Sequence, residues 1–372
     1  MRFSMKILAK YKYVWVAIVL LAIAAVSFYS FYNESEPAKA QDLQALFNRK
    51  KMAVYEPVLP NQPVRLPDDF RFHPEFEHEW WRYVANLKDA YGKSYSVQWF
   101  FFRVATDERK ENGWRNPQLY NAQVVVTSEE NTWRQQRLAR GGIGQAGFGT
   151  RPFRLWLDNW SWRSIGKSPL PGKLNVETDT FSVKLNSFAK GPYVLSGENG
   201  YTQKHDLLPL ASYSVHAPFV KVMGELILDG ETIPVTGTGW LDKEWGSELL
   251  DQPQASANIT LNLSDSMSLS IQRTKIQNHV AYTNGTLATN SGFVTNLSDK
   301  QIHVSAEELV PLRNGKVLPL VWSIKVPDYD IDVTIQPLEV EQWHPFIIQY
   351  WEGSVEAVNK PGIQGFMQLS GY

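Results

Sequence analysis

Three acidic residues lie beside tryptophans, in an arrangement that suits proton transfer. Glu79 directly precedes a tryptophan pair, and Asp242 and Glu244 lie in the segment GWLDKEWG, residues 239–246. A carboxylic acid in an apolar pocket has a raised pKa and can keep its proton near neutral pH. Two carboxyl groups with different pKa values would supply both an acid and a base. Glu79, Asp242 and Glu244 are therefore the candidate catalytic residues.

Strand periodicity predicts how these side chains are directed. Alternate residues of a β-strand share one face, so Trp240, Asp242 and Glu244 should point one way and Lys243 the other. A structural alternative stays open at this point. In that alternative, Asp242, Lys243 and Glu244 form a salt-bridged corner, and Glu79 is a paired buried carboxylate.

Aromatic residues supply the second candidate set. The chain holds 14 Trp, 16 Tyr and 18 Phe among 372 residues, and Trp and Tyr combine a large apolar body with a polar tip. Such side chains suit either the lining of a hydrophobic pocket or the core of a β protein. The candidate ligand-binding residues are Trp81, Tyr83, Trp99, Tyr201, Tyr213, His216, Trp240 and Trp351.

Composition excludes several classes of protein. There is no cysteine, which removes disulfide frameworks, zinc–thiolate and iron–sulfur sites, and thiol nucleophiles. The formal net charge is −1, whereas a nucleic-acid-binding surface would be basic. We expect no nucleic-acid partner, no metal site and no cofactor.

The order of predicted elements favours an all-β protein. From about residue 70, short runs with period two alternate with Gly, Pro, Asn and Asp clusters, a pattern typical of antiparallel sandwiches and barrels. We predict four regions: 1–40, a basic tip, anchor and linker; 41–69, a short helix and Pro-rich spacer; 70–247, a first barrel; and 248–372, a second barrel. The period-two runs are 95–100, 181–185, 259–263, 267–271 and 331–335.

The N-terminus predicts a membrane anchor. Residues 13–32 carry no charge over twenty positions, after a basic stretch and before Glu34. Twenty helical residues span the roughly 30 Å of a bilayer core. The charge asymmetry leaves the N-terminus in the cytoplasm and exports the remainder. We expect a single-pass protein of a bacterial inner membrane with its barrels in the periplasm, or a periplasmic or secreted protein if cleavage follows Ala40.

Several stretches carry a family resemblance. They are HPEFEHEWWRY at 73–83, GENGYTQK at 197–204, GTGWLDKEWG at 237–246, and the ending YWEG with GFMQLSGY at 350–353 and 365–372. Together and in this order they resemble the AttH/CrtC family of lipocalin-like proteins, over roughly residues 65–372. The resemblance implies two lipocalin-like antiparallel β-barrels in tandem, which agrees with the strand pattern. It also implies that the relatives of this chain are carotenoid 1,2-hydratases and AttH-type components of ABC export systems.

Three functions remain open on this basis. The leading expectation is a protein that binds a lipid or other hydrophobic small molecule and has ABC permease subunits as partners. The second is a carotenoid 1,2-hydratase-like hydro-lyase, in which a carboxylic acid protonates an isoprenoid double bond. The third is a structural or assembly factor without a ligand.

Overall fold

A computed structural model describes residues 55–107, 112–206, 208–247, 254–276 and 279–372. These residues form 23 β-strands and three short 3-10 helices, Asp68–Phe70, Gly113–Arg115 and Pro327–Tyr329, so the prediction of an all-β chain is confirmed. The five period-two runs all lie in strands. Within the described part of the chain, no helix has the length and apolar character that crossing a membrane requires. The apolar segment 13–32 lies outside the described residues.

The first sheet contains thirteen antiparallel strands. Their bounds are β1 (His78–Lys88), β2 (Ser94–Ala105), β3 (Gln118–Ser128), β4 (Thr132–Arg140), β5 (Ala146–Thr150), β6 (Phe153–Leu157), β7 (Trp160–Ser164), β8 (Gly172–Glu177), β9 (Phe181–Ala189), β10 (Val194–Leu195), β11 (Tyr201–Gln203), β12 (Ala211–Leu228) and β13 (Glu231–Gly246).

The strand order of this sheet is β4-β3-β2-β1-β13-β12-β9-β8-β7-β6-β5, with β10 and β11 also paired to β12. The two end strands do not pair with each other, but β4 approaches β6, so the sheet curls into a nearly closed barrel. In the middle of this order β1 pairs with β13, which begins more than 140 residues after β1 ends, and this pairing joins the two halves of the sheet.

The second sheet contains ten strands. Their bounds are β14 (Gln254–Ser264), β15 (Met267–Ile276), β16 (Tyr282–Thr289), β17 (Val294–Leu297), β18 (His303–Pro311), β19 (Val317–Val326), β20 (Ile331–Pro337), β21 (Trp343–His344), β22 (Tyr350–Ala357) and β23 (Gln364–Ser370). Their order is β17-β16-β15-β14-β23-β22-β20-β19-β18, with β21 paired to β22. The second sheet is therefore a half-barrel, whereas the sequence predicted a second closed barrel.

Each sheet buries its own apolar face. Inward-facing residues of the first sheet form one large core, which the segment before β1 also enters through Val58, Val64 and Phe70. Inward-facing residues of the second sheet form another core, around Trp322 and Trp351. The outer face of β1 and β13 packs against the second sheet, where Val84 and Trp240 contact Phe366. This layer between the sheets contains the candidate site.

Candidate functional site

Two polar clusters lie on opposite faces of β1 and β13. In the register of this pair, Trp81 lies opposite Lys243, and Arg82 lies opposite Asp242. Alternation therefore directs Lys243 into the barrel and Asp242 toward the second sheet. The candidate carboxylates fall into two separate groups, with Glu79 in the barrel cluster and Asp242 and Glu244 in the layer between the sheets.

The barrel cluster is a closed ion-pair network. Lys243 Nζ lies 2.9 Å from Glu79 Oε1, Arg103 Nη2 lies 3.5 Å from Glu79 Oε2, and the His73 backbone N–H donates to Glu79 at 2.9 Å. Burial alone would raise the pKa of Glu79, but the charges of Lys243, His73 and Arg103 hold it far below the usual value. The raised pKa expected for Glu79 is therefore wrong, and the alternative of a paired buried carboxylate describes its surroundings.

Lys243 connects this cluster to the segment before β1 by hydrogen bonds. Its ammonium donates to the backbone carbonyls of Asp69 and Arg71, each at 2.7 Å. It also lies 5.0 Å from the ring centre of Trp81 and 4.7 Å from that of Trp245. Burial lowers the pKa of Lys243 to about 8, although Glu79 opposes that shift. All polar contacts of this ammonium are internal, which is typical of a structural group that closes a barrel end.

Four candidate ligand-binding residues belong to the core of the first barrel. Trp81, Tyr83, Trp99 and Tyr213 are buried together there. The Trp99 ring stacks on Trp162 at 5.9 Å, and the Tyr83 hydroxyl is hydrogen-bonded to Ser187 at 2.9 Å. These contacts are those of packed core side chains.

Two further candidates lie away from the layer between the sheets. Tyr201 packs against the first core. Trp351 is fully buried in the second core, where its indole donates to the Val340 carbonyl at 2.8 Å. A role of any of these six residues in ligand binding stays a prediction.

The cluster between the sheets is centred on Asp242. His216 Nδ1 and Trp240 Nε1 each lie 2.5 Å from Asp242 Oδ1, and Arg82 Nη1 donates to Asp242 Oδ2 at 2.9 Å. Burial opposes ionisation of Asp242, but His216, Arg82 and Trp240 together lower its pKa. Asp242 is therefore held as a carboxylate that fixes the orientation of His216.

Glu352 brings the second sheet into the cluster. Arg82 Nε donates to Glu352 Oε1 at 2.5 Å, across 270 positions of sequence. Burial raises the pKa of Glu352, with Asp242 adding to that rise and Arg82 opposing it. One guanidinium thus joins two carboxyl groups whose pKa values are shifted in opposite directions. Sequence reasoning selected neither Arg82 nor Glu352, although both lie within the motifs at 73–83 and 350–353.

A small cavity of about 50 Å³ lies beside this cluster. Arg82, His216, Asp242 and Glu244 line it together with hydroxyl and amide side chains from both sheets. Glu244 is paired there with Lys204. His216, Trp240, Asp242 and Glu244 are thus the candidates that the structure brings together.

Several polar atoms at the cavity have no hydrogen-bond partner among the residues that the structure describes. Arg82 Nη2, Thr202 Oγ1 and Thr260 Oγ1 are buried and unpaired, and all three residues line the cavity. Buried polar groups are nearly always hydrogen-bonded in folded proteins. Three unpaired groups around one space therefore indicate a site for a polar occupant.

His216 adds an imidazole that Asp242 orients through Nδ1, which leaves Nε2 for proton transfer.

Sequence comparison places the chain in a family. The sequence model described as AttH-like matches residues 57–372. The chain belongs to the AttH-like family. None of the curated proteins matches this AttH-like chain.

Solved structures resemble this AttH-like chain over most of its length. An AttH of Nitrosomonas europaea is 28% identical, with a TM-score of 0.77, covering 85% of this chain and 99% of its own. Kievitone hydratase of Nectria haematococca is 14% identical, with a TM-score of 0.62, covering 86% and 96%. CghA in complex with Sch210972 is 11% identical, with a TM-score of 0.50, covering 87% and 97%. The last two similarities concern the fold alone.

A larger cleft opens in the same layer of this AttH-like chain. Its volume is about 520 Å³, and its walls come from both sheets, including Asn86, Ser96, Thr238 and Ser354. Ser354 lies two residues beyond Glu352 on β22, and two strand residues span about 7 Å. The cleft therefore ends close to the Arg82–Glu352 pair, and its volume falls in the range of small-molecule sites, about 300–1,000 Å³.

Proposed function

We propose that this AttH-like protein is an acid–base catalyst that adds water to, or removes water from, a small organic molecule. The observation that carries this proposal is the arrangement of His216 beside Asp242 at the polar cavity. A carboxylate that accepts from one imidazole nitrogen fixes the tautomer and leaves the other nitrogen to move a proton. His216 lines the cavity, and in this proposal its second nitrogen exchanges a proton with a substrate or a water molecule bound there.

Each residue of the cluster has a distinct role in this proposal. His216 moves the proton, and Asp242 orients its imidazole through Nδ1. Arg82 offers Nη2 to an oxygen of the substrate, because its other two bonding positions are engaged by Asp242 and Glu352. Glu352 balances the guanidinium charge from the second sheet. Glu79 has no role in catalysis here, since it stays ionised inside the barrel.

One structural neighbour has a name that agrees with this choice of reaction class. Kievitone hydratase is named for adding water, and its fold resembles that of the present chain over 86% of the length. At 14% identity this similarity extends to the fold and not to the substrate. The reaction class therefore rests on the cavity and its proton-transfer pair, and the neighbour makes that class a reasonable one for the fold.

Oxygen-isotope incorporation tests the proposal. The purified full chain is incubated in H₂¹⁸O with kievitone, lycopene and a series of unsaturated ketones and amides. Mass spectrometry then follows the gain of one labelled water. We expect turnover of at least one compound, and a rate reduced at least about 100-fold in His216→Gln, because general acid–base catalysis typically contributes about 10²–10⁴-fold.

The matched control is His303→Gln. His303 is exposed on β18 of the second sheet, outside the cavity, and its replacement should leave the rate unchanged. Equal rates for the wild type and His216→Gln, or no labelled product from any compound, would contradict the proposal.

A second candidate function is that of a membrane-anchored accessory to an ABC-type exporter that binds a hydrophobic ligand. It is supported by membership of the AttH-like family and by the uncharged segment 13–32 of the sequence. That segment would hold the sheets at the periplasmic face of the inner membrane, next to permease subunits. The ligand site in this case is the cleft of about 520 Å³, since the barrel aromatics are packed against one another.

Native mass spectrometry of the full chain from bacterial membranes tests this second function. Solvent extraction in parallel identifies any bound lipid or isoprenoid. A near-stoichiometric apolar ligand, reduced by Thr238→Trp in the cleft wall, would support it. A protein that carries no ligand after incubation with phospholipids and isoprenoids would contradict it and would favour an assembly role.

A further inference from the structure

The chemistry of the cavity wall limits what kind of double bond this site can hydrate. An isolated alkene must be protonated by a strong acid, and the resulting cation needs apolar or aromatic surroundings. The carboxyl group nearest to His216 is Asp242, which three hydrogen-bond donors hold as a carboxylate. The cavity wall consists mainly of hydroxyl, amide and charged side chains. Asp242 is therefore not the strong acid that isolated-alkene hydration requires, although Trp80 and Ile271 add apolar surface to the wall.

The unpaired groups indicate what the occupant must offer. Within the described part of the chain, Arg82 Nη2 is a buried donor without an acceptor, and its residue is 3% exposed. A buried hydrogen-bonding group left unsatisfied destabilises the protein, and a charged group does so most. Thr202 and Thr260 add two hydroxyl groups without partners on the same cavity. A ligand oxygen that accepts a hydrogen bond from Arg82 Nη2 removes the largest of these penalties, because that donor is the charged one.

We propose that the occupant is a small α,β-unsaturated carbonyl compound, or the β-hydroxy carbonyl compound formed from it, whose carbonyl oxygen accepts a hydrogen bond from Arg82 Nη2. This inference rests on the proposed function and names its substrate class. The carbonyl group is the part of the molecule that the guanidinium and the two threonine hydroxyls recognise. The conjugated carbon–carbon double bond then lies toward His216.

The reaction balances with the residues present. His216 Nε2 takes a proton from water, and the water oxygen forms a bond to the β-carbon. The π electrons of the carbon–carbon bond shift to the α-carbon and carbonyl, and the negative charge collects on the oxygen facing Arg82. His216 then returns its proton to the α-carbon, which gives the β-hydroxy carbonyl product. No oxidant, reductant or further reactant is consumed.

A preorganised donor is what this step needs. Hydrogen-bond donors aimed at a developing oxyanion accelerate reactions by about 10²–10³-fold for one donor. Arg82 meets the description because Glu352 and Asp242 fix its guanidinium from two sides, at 2.5 and 2.9 Å. The position of the donor is thus set before the substrate arrives.

Calorimetric titration with crotonamide, a small neutral α,β-unsaturated amide, tests the inference on the full chain. The comparison ligand is 2-methyl-2-butene, an isolated alkene of similar size. We expect crotonamide to bind the wild type. Affinity should fall at least fivefold in Thr260→Val and in Thr202→Val, which remove one hydroxyl each at nearly constant volume. Arg82→Lys should bind at least tenfold more weakly, since it loses the planar donor fork.

Thr274→Val is the matched control, because Thr274 is buried on β15 and does not line the cavity. It should bind crotonamide as the wild type does. The inference is overturned if crotonamide does not bind, if all variants bind it equally, or if the alkene binds with the same dependence on Thr260. The threonine variants keep the test decisive if Arg82→Lys does not fold.

The two proposals fail in different ways. Labelled product from lycopene or kievitone that depends on His216, without crotonamide binding, would leave the hydratase function in place and overturn the substrate class. Crotonamide binding that depends on Thr202 and Thr260, without labelled product from any compound, would support the ligand class and overturn the hydratase.

Discussion

Glu79 and Glu352 are both buried glutamates, but their neighbours give them opposite pKa shifts. Glu79 is surrounded by Lys243, Arg103 and His73, which lower its pKa despite burial. Glu352 shares one guanidinium with Asp242, so burial and the second carboxylate raise its pKa. The pKa of a buried carboxyl group therefore depends on the charged side chains that neighbouring strands place beside it. Its position next to a tryptophan in the sequence does not reveal those charges.

His344 should make the protein sensitive to acid. It is fully buried, and burial lowers its pKa from 6.5 to about 3. Between these two pH values the unfolded chain binds a proton that the folded chain does not, so stability is present above pH 6.5 and is lost as the pH falls. The loss amounts to about 1.4 kcal/mol per pH unit.

Urea unfolding of the wild type and His344→Gln at pH 4, 5, 6 and 7 measures this effect. The difference between the two proteins isolates the histidine from other groups that titrate in the same range. The wild type should lose stability more steeply than the variant as the pH falls. Parallel curves would contradict the prediction.

Lys243 should be essential for the stability of the fold, because its ammonium pairs with the buried carboxylate of Glu79. Removing one member of a buried ion pair leaves an unpaired charge and costs about 3–5 kcal/mol. Lys243→Met is therefore expected to lower the free energy of unfolding by about that amount. The double variant Glu79→Gln with Lys243→Met should recover only part of the loss, because it removes the carboxylate left without Lys243 but also takes from Arg103 the carboxylate that lies 3.5 Å from it.

Urea unfolding followed by tryptophan fluorescence measures both variants. Lys325→Met is the control, because Lys325 is exposed on β19 and its ion partner Asp332 is exposed too. A double variant less stable than Lys243→Met would argue against the unpaired-charge explanation.

At the scale of elements, the strands could be predicted but their pairing could not. Period-two runs such as 331–335 became strands because alternating apolar residues bury one face of a sheet. The pairing of β1 with β13 and of β14 with β23 joins segments more than 100 residues apart. Arg82 on β1 and Glu352 on β22 belong to different sheets and meet only where the two sheets pack, which explains why the motifs could be recognised while the contact between them was missed.

Close backbone packing should make Gly365 intolerant of a side chain. An added Cβ would lie 1.8 Å from the Thr260 carbonyl oxygen on β14, where ordinary contact is impossible. Gly365→Ala therefore forces β23 away from β14, and overpacking of this kind costs about 1–3 kcal/mol. Differential scanning calorimetry should show a lower melting temperature.

Gly166→Ala is the matched control for this substitution. A Cβ there meets no atom within 4 Å, and the residue does not have a positive φ. Its melting temperature should match that of the wild type, since exposed substitutions usually change stability by less than about 0.5 kcal/mol. Equal melting temperatures for the two alanine variants would show that β14 can shift without cost.

At the scale of the whole molecule, the two sheets are joined by the layer that also holds the site. Tyr350 donates to Gln123 at 2.7 Å, and Ser354 donates to Asn86 at 2.7 Å. Thr127 donates to Gln342 at 3.0 Å. Since catalytic geometry in our proposal depends on Arg82 from one sheet and Glu352 from the other, the site exists only while the sheets remain together.

This dependence predicts a single unfolding transition for both sheets. Phe366 of the second sheet packs on Val84 and Trp240 of the first, and replacing a buried Phe with Ala costs about 3–5 kcal/mol. Hydrogen exchange followed by mass spectrometry should show peptides from β1–β13 and β14–β23 losing protection at one urea concentration in the wild type. In Phe366→Ala that concentration should be lower for both sheets together. If only the second sheet lost protection earlier, the sheets would be separate folding units and the site would need a docking step to form.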